Sequence, residues 1–276
     1  MSGGESRLVL SRRGLFACAC CLVPAAPAFA RATIPRFFCA TPDVDESAAT
    51  PQRRGAGRGR FPTVKATLDR SKLWTHADGA TPNTGLITLN ISFLNGTRAD
   101  HDKVRRIAPQ WTQGRLGRRI AFRFGSSAGS SHVRISFRGK GGSVSEVGRD
   151  GLAKPKHHPT MNLSVVDQRD ILHEFGHVLG LKHEHQHPAS GIRWNKAAVR
   201  AALMPPPTSW SEAKIEQNIF DHFSKDCTCK GDPTADPLSI MLYPIDPSWT
   251  LDGKGTGRNT KISARDRRCL VREYGA

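Results

Sequence analysis

Three histidines, a glutamate and a glycine stand in register in His173-Glu174-Phe175-Gly176-His177-Val178-Leu179-Gly180-Leu181-Lys182-His183. If this stretch is helical, His173 and His177 lie on one face a single turn apart, so both imidazoles can reach one ion. His183 can join them only if the chain turns sharply after the helix, and Gly180 accepts the positive φ that such a turn needs. Three neutral nitrogen ligands leave a coordination position open to water, which distinguishes a catalytic zinc site from a closed structural one. Zinc lowers the pKa of that water towards neutrality. Glu174, beside the first ligand and not a ligand itself, is placed to take the proton and later pass one to a leaving amine. The expectation is one catalytic Zn2+ on His173, His177 and His183, with Glu174 as general base. His185 and His187 have no assigned role and are expected at the surface or just outside the ligands.

A helix must carry this segment, and Asp167 can cap one beginning at Gln168, with Asp170 in its first turn near the positive helix end. Upstream, Leu86–Phe93 alternates as a strand does, and strand-like runs follow at Arg119–Phe124, His132–Phe137, Ser143–Val147 and Met161–Val165. Between the first two, Val104, Ile107, Ala108 and Trp111 recur at helical spacing over 101–116, with Pro109 kinking or ending that helix. After Gly180 the regular signal fades until Ser211–Ser224, where Ile215, Ile219 and Phe223 share a face. A closing helix starts at Ser263, with Asp266 three residues on, and there is no internal repeat.

The chain has 276 residues, 38% hydrophobic and 24% charged, room for one or two domains of roughly 100–200 residues. No stretch approaches the ~20 apolar residues of a membrane span. At the start, Ser11-Arg12-Arg13-Gly14-Leu15-Phe16, an apolar run to Ala30 and the small-residue site Ala28-Phe29-Ala30 resemble a twin-arginine signal peptide over residues 1–30. This implies an exported protein, periplasmic or secreted from a bacterium. Residues 31–84, with Arg53–Arg60 rich in Arg and Gly, read as a leader or pro-segment, and the ordered domain is expected over 85–276. The net charge of +17 suits anionic partners. Its scatter along the chain and the lack of an RNP-like or zinc-finger pattern argue against nucleic acid as the partner.

The extended motif H-E-x-x-H-x-x-G-x-x-H resembles that of the metzincin metalloproteases. Ser239-Ile240-Met241-Leu242-Tyr243-Pro244 looks like their second signature, the Met-turn, in the astacin-like form S-x-M-x-Y. Val133–Phe137, Gly142–Ser145 and Thr160–Leu163 extend the likeness to bacterial and fungal astacin-like proteases across about residues 85–276. The resemblance implies an α+β zincin fold. It would have an upper subdomain over 85–180 with a twisted, mostly parallel five-stranded sheet, an antiparallel edge strand and an active-site helix, and an irregular lower subdomain over 181–276 with the Met-turn and a final helix. It also implies that Met241 packs beneath the three histidines. Tyr243 would be an additional zinc ligand that swings to the oxyanion of the tetrahedral intermediate. Ser143, Val144, Ser145, Glu146 and Val147 would form the exposed edge that pairs antiparallel with extended substrate. Astacins proper continue H-E-x-x-R-x-D-R-D, whereas this chain has His183-Glu184-His185-Gln186-His187-Pro188-Ala189. Glu184 survives without the Arg and Asp-Arg-Asp, which puts in doubt the contact that this Glu makes in astacins with the mature N-terminus.

Cys39, Cys227, Cys229 and Cys269 remain once residues 1–30 are removed, with three possible connectivities for an exported protein. Cys39-Ala40-Thr41-Pro42-Asp43-Val44 also resembles the Cys-x-x-Pro-Asp-Val core of the matrixin cysteine switch, in which a pro-segment thiolate fills zinc's open position. Cys39 is therefore a candidate latency ligand, released by cleavage near Arg53–Arg60. The functional expectation is a zinc-dependent endopeptidase acting on protein or peptide substrates. The alternative is a basic envelope- or nucleic-acid-binding protein with a structural or silent zinc site.

Overall fold

A computed structural model describes residue 39 and residues 67–78, 85–138, 142–223, 228–229 and 234–276. The signal-peptide reading at 1–30, the Arg53–Arg60 stretch and Cys227 lie outside the described residues. Strand β1, Ile87–Phe93, sends Leu89 and Ile91 into the core, as its alternation requires. It pairs in parallel with β2 (Ile120–Phe124), Ile87 opposite Ile120, and with β3 (Val133–Ser136), Ile91 opposite Val133. β5 (Met161–Asn162) lies parallel to β3, and β4 (Val144–Ser145) closes the sheet antiparallel to β5. The order β2-β1-β3-β5-β4 is the mostly parallel sheet with an antiparallel edge that the resemblance implies.

Parallel neighbours need a crossover, and helix α1, Arg98–Ile107, supplies the one from β1 to β2. It starts earlier than its apolar spacing indicates. Thr97 accepts from the backbone N–H of Asp100 while the Asp100 carboxylate accepts from that of Thr97, a capping box. It ends before Pro109, which has no N–H to continue the ladder, and a short 3-10 turn over Ala108–Gln110 delivers Trp111 into the core. Trp111 donates its indole N–H to Leu172 O at 2.8 Å and so ties this corner to helix α2, Gln168–Val178.

Arg134 on β3 is fully buried, and its guanidinium donates to four carbonyl oxygens, those of Ser131, Gly151, Lys154 and His158. A buried charge is tolerated only when its donors are matched in this way. Here the matching pins the connection between β4 and β5 against the sheet.

Beyond α2 the chain forms a second apolar cluster. Helices α3 (Lys196–Leu203) and α4 (Glu212–Ile215, running into a π turn over Glu216–Phe220) pack Val199, Leu203, Ile215 and Ile219 against Tyr243, Ile245 and Trp249. α3 lacks the apolar signal that marks α4 in the sequence, although Asn195 caps it. Helix α5, Ala264–Glu273, closes the chain behind a Ser263/Asp266 capping box, and Cys269 on it is bonded to Cys229.

Residues 67–78, part of the stretch read as leader, pack into the main core through Leu68 and Trp74. Leu68 bridges to Leu181, Asp69 N donates to Gly180 O, and Trp74 donates its indole N–H to Val178 O at 2.6 Å. This strap clasps the C-terminal end of α2. Trp74→Ala is expected to lower stability by about 3–5 kcal/mol, read from urea unfolding; a loss below about 1 kcal/mol would show the strap to be dispensable.

Candidate metal centre

Helix α2 begins as its sequence indicates, with Asp167 accepting from the backbone N–H of Asp170 at 2.8 Å. It ends where Gly180 adopts φ +94°, and a Cβ there would sit 2.9 Å from Leu73 Cδ2 in the strap. Both the conformation and the close approach call for glycine. The turn is closed by Gly180 N donating to His177 O and Leu181 N to Gly176 O, which returns the chain so that His183 meets the two helical histidines.

His173, His177 and His183 are fully buried. His173 Nδ1 donates to Ile240 O and His177 Nδ1 donates to Leu181 O, each at 2.8 Å. A carbonyl partner requires the proton on Nδ1, so a neutral ring presents a bare Nε2 lone pair inward. Burial, followed for His173 and His183 by the neighbouring imidazoles, holds the histidines below the usual imidazole range, with His177 lowered to about 4. They are therefore neutral. His177 Nε2 and His183 Nε2 lie 3.1 Å apart, and the ligand atoms of the three histidines and of Cys39 all fall within 4.8 Å of one another. Three buried imidazoles and a thiol converging within this distance have the donor types and spacing of a zinc site, so this donor set fits a zinc ion. The structure thus brings together the three expected histidines and Cys39.

Cys39 is fully buried, 3.5 Å from Glu174 Oε2, to which its thiol donates, and 3.6 Å from His177 Nε2. Burial and the Glu174 carboxylate push the thiol up, and burial likewise raises Glu174, whose Oε1 has no hydrogen-bond partner among the described residues. A dication among these groups reverses that balance and favours the thiolate.

Met241 packs beneath the helix so closely that a Cβ on Gly176 would run into its Sδ. The turn carrying it is held by Asp266, which accepts from Ser239 Oγ at 2.7 Å and from Ile240 N at 3.0 Å. The sequence shows Asp266 only as a capping residue; its grip on a turn some 25 residues away carries no local signal. The Tyr243 ring lies 4.5 Å from that of His183 and stacks at 4.3 Å on His185. His185 and His187 are not surface residues. Both are fully buried, and His185 sits between Tyr243 and the edge of Trp194 while donating Nε2–H to Asn218 O.

Glu184, raised to about 8 chiefly by burial, accepts from Asp236 N at 2.7 Å and from Thr67 N and Oγ1 at 3.4 Å. It thus meets the start of the strap despite the missing Arg and Asp-Arg-Asp. The residues read as the substrate edge, Ser143–Val147, include β4 at the sheet's end; Ser143, Ser145 and Val147 are buried, while Val144 and Glu146 are half-buried. Ser143 Oγ donates to Asp170 Oδ2 at 2.9 Å, a link from the edge to α2 that the spacing does not reveal.

A parallel sheet ending in one antiparallel strand, over a helix whose two histidines meet a third beyond a glycine turn, defines a zincin fold. A solved structure of myroilysin is similar at 30% identity and a TM-score of 0.66, covering 76% of this chain and 99% of its own. A second myroilysin structure matches at 28% identity and TM-score 0.52, over 79% and 100%. High choriolytic enzyme 1, a hatching enzyme zinc-protease from Oryzias latipes (Medaka fish), shares the fold at 19% identity and TM-score 0.51, over 77% and 99%. No protein-family model matches the chain, and no curated protein does. The chain belongs to the family of myroilysin, the astacin-family zinc metalloproteases.

Gly176→Ala is expected to displace the methionine floor at a cost of about 1–3 kcal/mol and to weaken zinc retention. Zinc content after dialysis and the melting temperature would report it, and an alanine variant with full metal and unchanged melting would show that Met241 yields freely.

Proposed function

We propose that the protein is a zinc-dependent endopeptidase. The observation that carries this is the convergence of three buried imidazoles, two of them with Nδ1 committed to backbone carbonyls, beside a buried carboxylate that is not among them. His173, His177 and His183 would hold the ion, which when bound supplies a Lewis acid and makes water acidic near neutrality. Glu174 takes up the proton released when water attacks the peptide carbonyl and returns one to the leaving amine; burial raises its affinity for that proton. Tyr243, with its ring against His183, is the candidate for stabilising charge on the former carbonyl oxygen. Extended substrate would pair with the outer edge of β4. Glu146 N donates inward to Thr160 O, so by alternation the amides of Ser143 and Ser145 face outward. Glu174→Ala should lower casein cleavage by ~10²–10⁴-fold while zinc stays bound, and a chelator should abolish it. Undiminished cleavage by the variant would remove Glu174 from the mechanism. Salt-sensitive binding to anionic polymers without chelator-sensitive proteolysis would favour the alternative of a basic binding protein with a silent site.

A second reading concerns Cys39, whose sulfur stands among the ligand nitrogens. It would occupy the fourth position of the ion and exclude water until the segment is cut away, keeping the enzyme latent. The intact exported chain carrying Cys39→Ala should therefore cleave casein faster than the unaltered chain, and equal rates would sink the idea.

A further inference from the structure

Asp170 lies one turn ahead of His173 and is almost fully buried, at 1% exposure. Its two oxygens face different parts of the molecule. Oδ2 accepts from Ser143 Oγ at 2.9 Å, and Ser143 opens the edge segment that includes β4. Oδ1 lies 3.4 Å from Arg258 Nη2, whose guanidinium also pairs with Asp167 at 2.5 Å. The loop carrying Arg258 braces the Met-turn from outside: Asn259 donates to Ser239 O at 2.8 Å, and Thr256 Oγ1 donates to Tyr243 O. Gln168, in the same first turn of α2, donates to Thr260 O at 3.0 Å. The first turn of the metal-bearing helix is thus joined to the substrate edge on one side and to the Met-turn brace on the other, with Asp170 common to both.

We propose that Asp170 is a positioning residue for substrate: through Ser143 and Arg258 it fixes the edge strand and the Met-turn brace relative to the metal-binding helix. The inference rests on the endopeptidase reading above. Asp170 is not among the ligand residues and acts on Glu174 through its charge, so its loss falls chiefly on how the peptide is held. The charged groups facing it are Asp167 and Arg169 on α2 and Arg258 on the loop, with Cys39 and Glu174 further off. Burial first, then Asp167, raise its carboxyl to about 7, against the Ser143 bond, Arg169 and Arg258, which lower it. Above that value the carboxylate accepts from Ser143 and pairs with Arg258. Below it the proton removes one of the two carboxylate charges on Arg258 and leaves that of Asp167, so grip on the substrate loosens as pH falls through neutrality.

The test is steady-state cleavage of a peptide spanning both sides of the scissile bond, across the neutral pH range, by the active enzyme and by Asp170→Asn. The variant should raise KM by roughly tenfold, the worth of one charge-assisted hydrogen bond, with kcat within about twofold. Its KM should lack the rise towards acid pH that the parent shows. Ser143→Ala, which leaves the carboxylate and Arg258 in place, should raise KM too and add little when combined with Asp170→Asn. A KM unchanged in both variants, a loss confined to kcat, or an acid rise in KM that persists in Asp170→Asn would overturn the proposal. If Asp170→Asn does not fold, Ser143→Ala decides through the same KM and kcat split. Absence of chelator-sensitive cleavage by the parent enzyme would refute the endopeptidase reading itself, and is thereby distinct from failure of the positioning role.

Discussion

Neutral imidazoles crowded together repel one another through their lone pairs, and this protein gathers the fully buried rings of His173, His177 and His183 about one point. Holding them there demands that each ring be fixed in tautomer and direction by something other than the ion. Backbone carbonyls do this for two of the three: Ile240 O for His173 and Leu181 O for His177. Both carbonyls belong to segments that must themselves be held. Ile240 is in the turn gripped by Asp266, and Leu181 follows the Gly180 reversal and is bridged to Leu68 of the strap. The metal centre therefore draws its rigidity from the strap, the Gly180 reversal, the Met-turn and the start of α5, which support the middle and the C-terminal end of α2.

The electrostatic setting is as particular as the geometry. Burial disfavours charge on the groups at the centre: imidazoles are lowered, and Glu174, Cys39 and Tyr243 are raised. Such a cavity favours one compact dication over several separate ionisations. Arg169, fully buried nearby, is brought down to about 10 by the same desolvation, and its Nη2 is held on Leu242 O.

The ligand set, Glu174, Gly180 and the Met-turn were legible because each rests on local spacing: four residues along a helix, a glycine just past its end, a short turn signature. The strands of the sheet were legible through alternation, and α5 through its Ser263 cap. What stayed hidden depends on partners distant in sequence. Nothing near Leu68 or Trp74 announces that they complete the core against α2, because their surroundings in the chain are rich in Pro, Gly and Arg. Of the two places expected for His185, the surface or just outside the ligands, the fold gives the second, between Tyr243 and Trp194 and stacked on His183. Helix α3 hid because Ala fills half of its eight residues, leaving Val199 and Leu203 as its buried pair. The Ser143–Asp170 bond joins residues 27 apart, beyond the reach of any periodicity.

Arg134 carries a last consequence. By holding three carbonyls of the connection behind β4 and a fourth just ahead of β3, it stiffens the rim of the sheet that the endopeptidase reading gives to substrate, in place of a loop that must order itself. A polypeptide laid along such a rim gives up its own freedom and little of the protein's. The rim is also short, with two residues in ladder register. Stiffness over so small a span rewards a chain that is already locally extended, and gives little reward to one that would have to be unwound over a long stretch to fit.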